Sequence, residues 1–364
     1  MTTTADSVGR ADPRADTPVV AAAAGPIRRI SVIVPMRNEA RHIDQFVEDL
    51  ASQDFTGAVQ VLVADGGSTD GSGERLLQAA ADAGVTVTLI AGLQRWVSHG
   101  LNACIRRANG DLIVRMDCHS RYPPDYLRRC AVAAEETGAE NVGGAVVAEG
   151  VTATERAVAC AMDSAFGGIG WTRHGDAATR VEADTVTFGA FRRRAFERAG
   201  LFDESLARNQ DDEFNLRLRR AGGRIVLDPA INVRYRPRGS FRGVFRQYFE
   251  YGRWKIPVML KHRRATSIRS LAPPAFVVSV LVLGAAAPWF AAARWLLAAE
   301  LLLYVVAAVA FGVAAVHRRR EPWRMLPRVL GVFVTFHVAF GIGVVVGTAS
   351  AAVGRLPAVA EGAA

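Results

Sequence analysis

Charge is sparse in the last quarter of this 364-residue chain and is concentrated in one loop, 317–328. From Leu271 onward three apolar runs, 271–292, 295–316 and 329–354, each approach the roughly 20 residues needed to cross a bilayer core. Three such runs in succession leave no polar face to meet water, which disfavours buried hairpin helices of a soluble domain. Three transmembrane helices are therefore expected over residues 271–352. CxxC spacing is also missing. Cys104, Cys118, Cys130 and Cys160 are scattered through a segment expected to face the cytosol, so reduced thiols are expected and no structural zinc is assigned. The first 26 residues have neither periodicity nor the apolar core of a signal peptide, and read as a disordered tail.

Net charge is +9, and much of the excess flanks the apolar runs, in "GRWKIPVMLKHRRATSIR" and "HRRREPWRMLPR". Positive loops stay cytoplasmic, so the N-terminal part is expected in the cytosol and the C-terminus outside, in a multi-pass protein of the inner (plasma) membrane. Basic residues beside spans fit anionic lipid headgroups better than nucleic acid. The chain divides into an α/β domain (27–239), an interfacial amphipathic and basic segment (240–270), the spans (271–352) and a C-terminal tail (353–364).

Within the α/β domain, strand and helix alternate. "ISVIVP", "VQVLVAD", "VTVTLI" and "DLIVRMD" are apolar strands, each followed by a helical pattern. Continuous apolar strands imply a mainly parallel sheet covered on both faces, with ligands beyond the carboxyl ends of its strands. There stand "PMRNEA", "ADGGSTDGS" and "MDCHS". Asp65 and Asp117 would line one crevice. "DGGSTDG" reads either as a turn with Thr69 or Asp70 as an N-cap, or as backbone amides for an anion. In "RMDCHS", Asp117 and His119 stand two apart and can face one metal or phosphate, or the strand simply runs out into a polar loop. Residues 208–223 form an amphipathic helix that opens on Asp211, Asp212 and Glu213, either favourable helix-start carboxylates or a catalytic group. The Gly-rich stretch from 150 to 184 is either an acceptor loop, with Trp171 and His174 touching a sugar, or a plain connection.

With "SVIVPMRNEA", "VLVADGGSTDGS", "LNACIRRANGDLIVRMD" and "NQDDEFNLRLRRAGG" in order, the chain resembles the family 2 glycosyltransferases of the GT-A fold, inverting enzymes that use nucleotide-diphosphate sugars. "DCHSRYP", "FGAFRR" and the terminal spans are similar to the succinoglycan-biosynthesis glucosyltransferase type. The resemblance implies that Pro35, Arg37 and Glu39 border the nucleotide, that Asp65 binds the uracil imide, and that Asp117 opens an Asp-X-Asp motif gripping ribose, diphosphate and a divalent ion. His119 stands where the family usually has Asp, either as a metal ligand or as a hydrogen-bond donor to the diphosphate. An imidazole ligand favours Mn²⁺ over Mg²⁺.

The same resemblance implies that Asp211 is the catalytic base, with Asp212 as second choice. Glu213 would fall on a usual Asp. "EYGRWK" is similar to a Gln-X-X-Arg-Trp motif, so that Arg253 and Trp254 either close over diphosphate and acceptor or anchor the chain at the membrane. Gly189 would let the acceptor sugar approach. The implied activity is transfer of a hexose from a UDP-sugar to a polyprenyl-diphosphate-linked saccharide in cell-surface or exopolysaccharide synthesis. The alternatives are a polyprenyl-phosphate glycosyl synthase and a catalytically inactive sugar-nucleotide-binding membrane scaffold.

Overall fold

A computed structural model describes residues 25–91, 96–167, 179–262 and 268–354. Apolar strands alternate with amphipathic helices through the first half: β1 (Arg29–Met36), α1 (Ile43–Ala51), β2 (Ala58–Asp65), α2 (Ser72–Asp82), β3 (Val87–Ile90), α3 (Val97–Arg107), β4 (Leu112–Arg115), the short β5 (Ser120–Arg121) and α4 (Tyr126–Thr137). The second half adds β6 (Asn141–Ala148), α5 (Ala153–Met162), β7 (Val181–Glu182), β8 (Thr187–Arg192), α6 (Arg193–Ala199), α7 (Gln210–Arg220) and β9 (Ile225–Tyr235). One sheet runs in the order β3-β2-β1-β4-β8-β6-β9-β5, with β7 against β9. The first four strands are mutually parallel, β8 is antiparallel to both neighbours, and β6 and β9 are parallel.

The chain winds outward from β1 to β3 and then returns to β4 on the other side of β1. That reversal opens a crevice at the carboxyl ends of β1 and β4. Both faces of the sheet are covered, α1, α2 and α4 packing on one apolar core and α3, α6 and α7 on the other. In the second core Phe214 holds α7 in place, its ring 5.4, 5.2 and 4.9 Å from those of Phe191, Phe196 and Phe202. Such edge and tilted aromatic packing fixes the helix start over the crevice.

After β9 the chain forms α8 (Phe241–His262), a 3₁₀ turn at Ile268–Leu271, and the apolar helices α9 (Ala272–Ala286), α10 (Ala291–Arg318) and α11 (Leu326–Ala352). The expectation of three spans is corrected here. Among the described residues, only Ala291–Arg318 and Trp323–Ala352 are long and apolar enough to cross a membrane. The 15 residues of α9 reach about 22 Å, short of the roughly 30 Å hydrocarbon core. Pro288, two residues past its end, lacks the N–H that a continuing helix needs. The odd number of crossings that would put the C-terminus outside is therefore lost.

α10 is mostly exposed, with Trp295, Leu302 and Leu303 uncovered. About half of the apolar stretch of α11 is buried against the rest of the protein. It runs in the same direction as α8, Gly331 beside Phe241, Gly343 beside Phe249 and Gly347 beside Arg253. A Cβ on Gly343 would collide with the Phe249 carbonyl, and one on Gly252 with the Phe340 carbonyl. Small residues thus let the two backbones touch. Ion pairs Arg156–Glu321 and Arg319–Asp163 tie the loop after α10 to the region around α5.

Candidate active site

The crevice is a cleft of about 1090 Å³. Its first wall is the loop after β1, clipped to the Gly-rich turn after β2. Asn38, held at φ 55°, receives Thr69 N–H on its side-chain oxygen at 2.8 Å and donates its own N–H to Ser68 Oγ at 2.9 Å. Asp70 accepts from the Ala40 N–H at 3.0 Å and from the Ser72 N–H. The N-cap of α2 is Gly71 at φ 81°, with no side-chain cap, so neither Thr69 nor Asp70 takes that role. Asp65 ends β2 beside Met36, and one of its oxygens accepts from Ser68 N–H and Oγ–H at 2.9 and 2.7 Å. Its neighbours Ala64 and Gly66 line the cleft, as do Pro35, Arg37 and Glu39.

Asp117 and His119 both face the cleft, each with a protein partner. Arg115 Nε and Nη2 donate to the two Asp117 oxygens, both at 2.9 Å. His119 Nδ1 lies 2.9 Å from Glu39 Oε1. Desolvation disfavours its imidazolium, but the Glu39 hydrogen bond and the charges of Asp117 and Glu39 outweigh that and raise its pKa. Among the described residues no three His, Cys, Asp or Glu side chains converge to hold a metal. The donor set is one carboxylate and one imidazole, which suits a cation shared with a bound diphosphate rather than one caged by protein.

The opposite wall is the start of α7. Asn209, at φ 60°, turns the chain into the helix and donates from Nδ2 to the Tyr251 carbonyl at 3.4 Å. Asp211 opens into the cleft, whereas Asp212 is bound by Lys255 Nζ at 2.7 Å. Burial, then the neighbouring Asp212 charge, raises the Asp211 pKa against the opposing pull of Arg115. Among the described residues Asp211 has no ion pair with lysine or arginine, and it protonates more readily than an ordinary Asp.

Glu213, the third acid, is buried away from the cleft. It accepts from Arg217 at 2.9 and 3.0 Å, from Lys261 at 3.0 Å, and lies 3.0 Å from His262 Nε2. It joins α7 to the end of α8, a structural role.

On α8 the cleft-facing residues are Gln247 and Tyr251, with Lys255 continuing the same face at four-residue spacing. Glu250, Arg253 and Trp254 lie elsewhere. Arg253 sits against Gly347 of α11, and Trp254 packs with Leu206 and Val258. Neither Arg253 nor Trp254 lines the cleft: Arg253 is turned onto α11, and Trp254, close to the Gln247 face but two turns further along the helix, is covered by Leu206. Gly189 is also not at the cleft surface: a Cβ there would strike Asn141 Oδ1 and the Phe191 ring, so its glycine serves internal packing. Thr187 and Phe188 line the cleft instead. Trp171 and His174 lie outside the described residues. Sequence reasoning missed Arg115, Tyr235, Gln247 and Tyr251; a charged residue at the end of an apolar strand was the one available signal, and it pointed to Arg115.

The family model described as "Glycosyl transferase family 2" matches residues 31–201. The succinoglycan biosynthesis protein ExoA of Rhizobium meliloti is 31% identical over 314 residues, 86% of this chain and 92% of its own length. A dolichyl N-acetyl-alpha-D-glucosaminyl phosphate 3-beta-D-2,3-diacetamido-2,3-dideoxy-beta-D-glucuronosyltransferase of Methanococcus voltae is 25% identical over 233 residues, 61% of this chain and 71% of its own. Among solved structures, the mannosyltransferase PcManGT from Pyrobaculum calidifontis, in complex with GDP-Man and Mn²⁺, superposes with a TM-score of 0.59 at 21% identity, over 88% of this chain and 89% of that one. That likeness is one of fold, the GT-A type of α/β sheet. The likeness to ExoA extends well past the matched domain, and the chain belongs to the family 2 glycosyltransferases, of the ExoA-like type.

Proposed function

We propose that this glycosyltransferase inverts the anomeric centre of a hexose as it moves it from a UDP-sugar to a saccharide linked to polyprenyl diphosphate. The observation that carries the reading is the pair Asp211 and Asp212: one carboxylate tied to Lys255, the other open to the cleft with a raised pKa. A general base works best with a pKa nearer the operating pH than that of a free Asp. Asp211 takes the proton from the acceptor hydroxyl. The oxygen attacks the anomeric carbon from the face opposite the diphosphate, and the bond to the diphosphate breaks with its electrons leaving on UDP.

Charge on the leaving group must be met in a site shielded from water. Arg37 and Arg115 line the cleft for that purpose, beside Asp117. We assign the uracil to the Asp65 turn and the ribose and diphosphate to Pro35, Glu39 and Asp117. A divalent ion held between the diphosphate, Asp117 and His119 would neutralise further charge, Mn²⁺ being favoured over Mg²⁺ by the imidazole. The Mn²⁺ in the PcManGT complex supports an ion of this class.

Membrane association is read from the apolar helices α10 and α11, with the catalytic domain on the cytosolic side beside Arg318, Arg319 and Arg320. The name of the Methanococcus voltae relative, a transferase acting on a lipid-linked sugar, favours a glycosylated lipid acceptor. Detergent-purified protein assayed for UDP release across several UDP-sugars, with polyprenyl monophosphate or a glycosylated polyprenyl diphosphate, tests the reading. UDP release that depends on the glycosylated lipid is expected, and release with the monophosphate alone would make the protein a polyprenyl-phosphate glycosyl synthase.

A further inference from the structure

The cleft, at about 1090 Å³, exceeds the roughly 300–1,000 Å³ typical of a pocket for one small ligand. One part of it, at α8 and the end of β9, lies outside the set of residues assigned above to the donor. Gln247 donates from its amide nitrogen to the Tyr251 hydroxyl at 2.9 Å and to the Tyr235 hydroxyl at 3.3 Å. This bridge joins α8 to the end of β9 and borders Asp211, since the Tyr251 carbonyl is held by Asn209 at the start of the same helix. We infer that Gln247, Tyr251 and Tyr235 form the acceptor subsite, a ledge of amide and phenol groups that receives a sugar hydroxyl, in a cleft that Arg208, Arg236 and Arg238 also line.

The inference rests on the reading of Asp211 as base. A phosphate oxygen is already ionised, needs no base, and would be repelled by the Asp211 carboxylate at the cleft wall. A sugar hydroxyl needs a base and finds donors and acceptors in amide and phenol groups. Burial, then Tyr235, pushes the Tyr251 phenol up to about 12, so it remains a neutral hydroxyl at physiological pH. The face of α8 behind the ledge packs on α11, so the binding groups stand on a helix joined directly to an apolar one.

The test uses the full chain in detergent and the variants Gln247→Ala, Tyr251→Phe and Tyr235→Phe, with donor and acceptor KM measured separately. The probes are polyprenyl monophosphate and a glycosylated polyprenyl diphosphate. The expected result is a KM for the glycosylated lipid raised about tenfold in Gln247→Ala and several-fold in each Tyr→Phe variant, as loss of one or two neutral hydrogen bonds implies, with donor KM unchanged within about twofold. Donor and acceptor KM rising together, no change in either, or monophosphate as the better acceptor would overturn the subsite. UDP release to water with neither lipid accepting would overturn it while keeping the donor reading. Absence of UDP release under every condition would overturn the proposed function as well.

Discussion

Glutamine in place of Glu213 offers a test of how the catalytic helix is held. Glu213 is fully buried and carries contacts to Arg217, Lys261 and His262, all between 2.9 and 3.0 Å. Glu213→Gln keeps the shape but removes the negative charge, leaving the amide facing cations. Breaking a buried pair in this way costs about 3–5 kcal/mol when the stranded charges cannot reach water. Lys261, 43% exposed, and Arg217, 23% exposed, can turn partly to solvent, which lowers the figure to about 2–3 kcal/mol. At about 2–4 °C per kcal/mol for a domain of roughly 200 residues, the melting temperature falls by about 4–12 °C.

The pH dependence has a definite sign. Burial alone would raise the Glu213 pKa, but Arg217 first, then Lys261 and His262, lower it below the ordinary 4.5. A carboxylate with a depressed folded pKa stabilises fully above its unfolded value and loses that contribution as pH falls through the folded one. Thermal unfolding by intrinsic fluorescence in detergent at pH 7.5 and at pH 4 checks both statements. The wild type and the variant should differ less at the lower pH. A shift under about 1 °C at pH 7.5 would refute the assignment of Glu213 as the joint between α7 and α8.

Three other outcomes follow from the cleft. His119→Asp, which restores two carboxylates, should move activity after chelation from Mn²⁺ toward Mg²⁺, measured as the ratio of UDP release with each ion; an unchanged ratio in both His119→Asp and His119→Ala would remove His119 from the metal. Arg115→Met should weaken UDP binding by calorimetry and lower turnover at least tenfold, because Asp117 loses its buried partner; binding and turnover near wild type would deny Arg115 a part. Lys255→Met frees the Asp212 charge to act on Asp211, so the acid limb of the pH–rate profile, already above that of an ordinary Asp, should move to still higher pH; a limb that stays or moves down would contradict that coupling.

The sequence carried the first half of the sheet plainly. Parallel strands buried on both faces are continuous apolar runs, and β1, β2 and β4 fall on the segments expected from "ISVIVP", "VQVLVAD" and "DLIVRMD". β6, with two glycines, and the long β9, interrupted by Asp228 and Pro229, have no such signature and were not foreseen. On α8 the motif resemblance pointed to Arg253 and Trp254, yet Arg253 is turned away by glycines 90 residues on, Gly343 and Gly347, which let α11 press against that face, and Trp254 is covered by Leu206. That information is tertiary. The failure of the first of the three runs was nearer to hand, because Pro288 stands inside residues 271–292.

The central claim is that Asp211, and not Asp212, removes the proton from the acceptor. Turnover and UDP-sugar affinity measured side by side for Asp211→Asn and Asp212→Asn test it most directly. In Asp211→Asn, donor affinity should stay within about twofold while turnover falls about 10²- to 10⁴-fold, the usual worth of a positioned base; Asp212→Asn, which loses only the Lys255 pair, should keep most of its turnover. Near-normal turnover in Asp211→Asn, with the loss appearing in Asp212→Asn instead, would contradict the account.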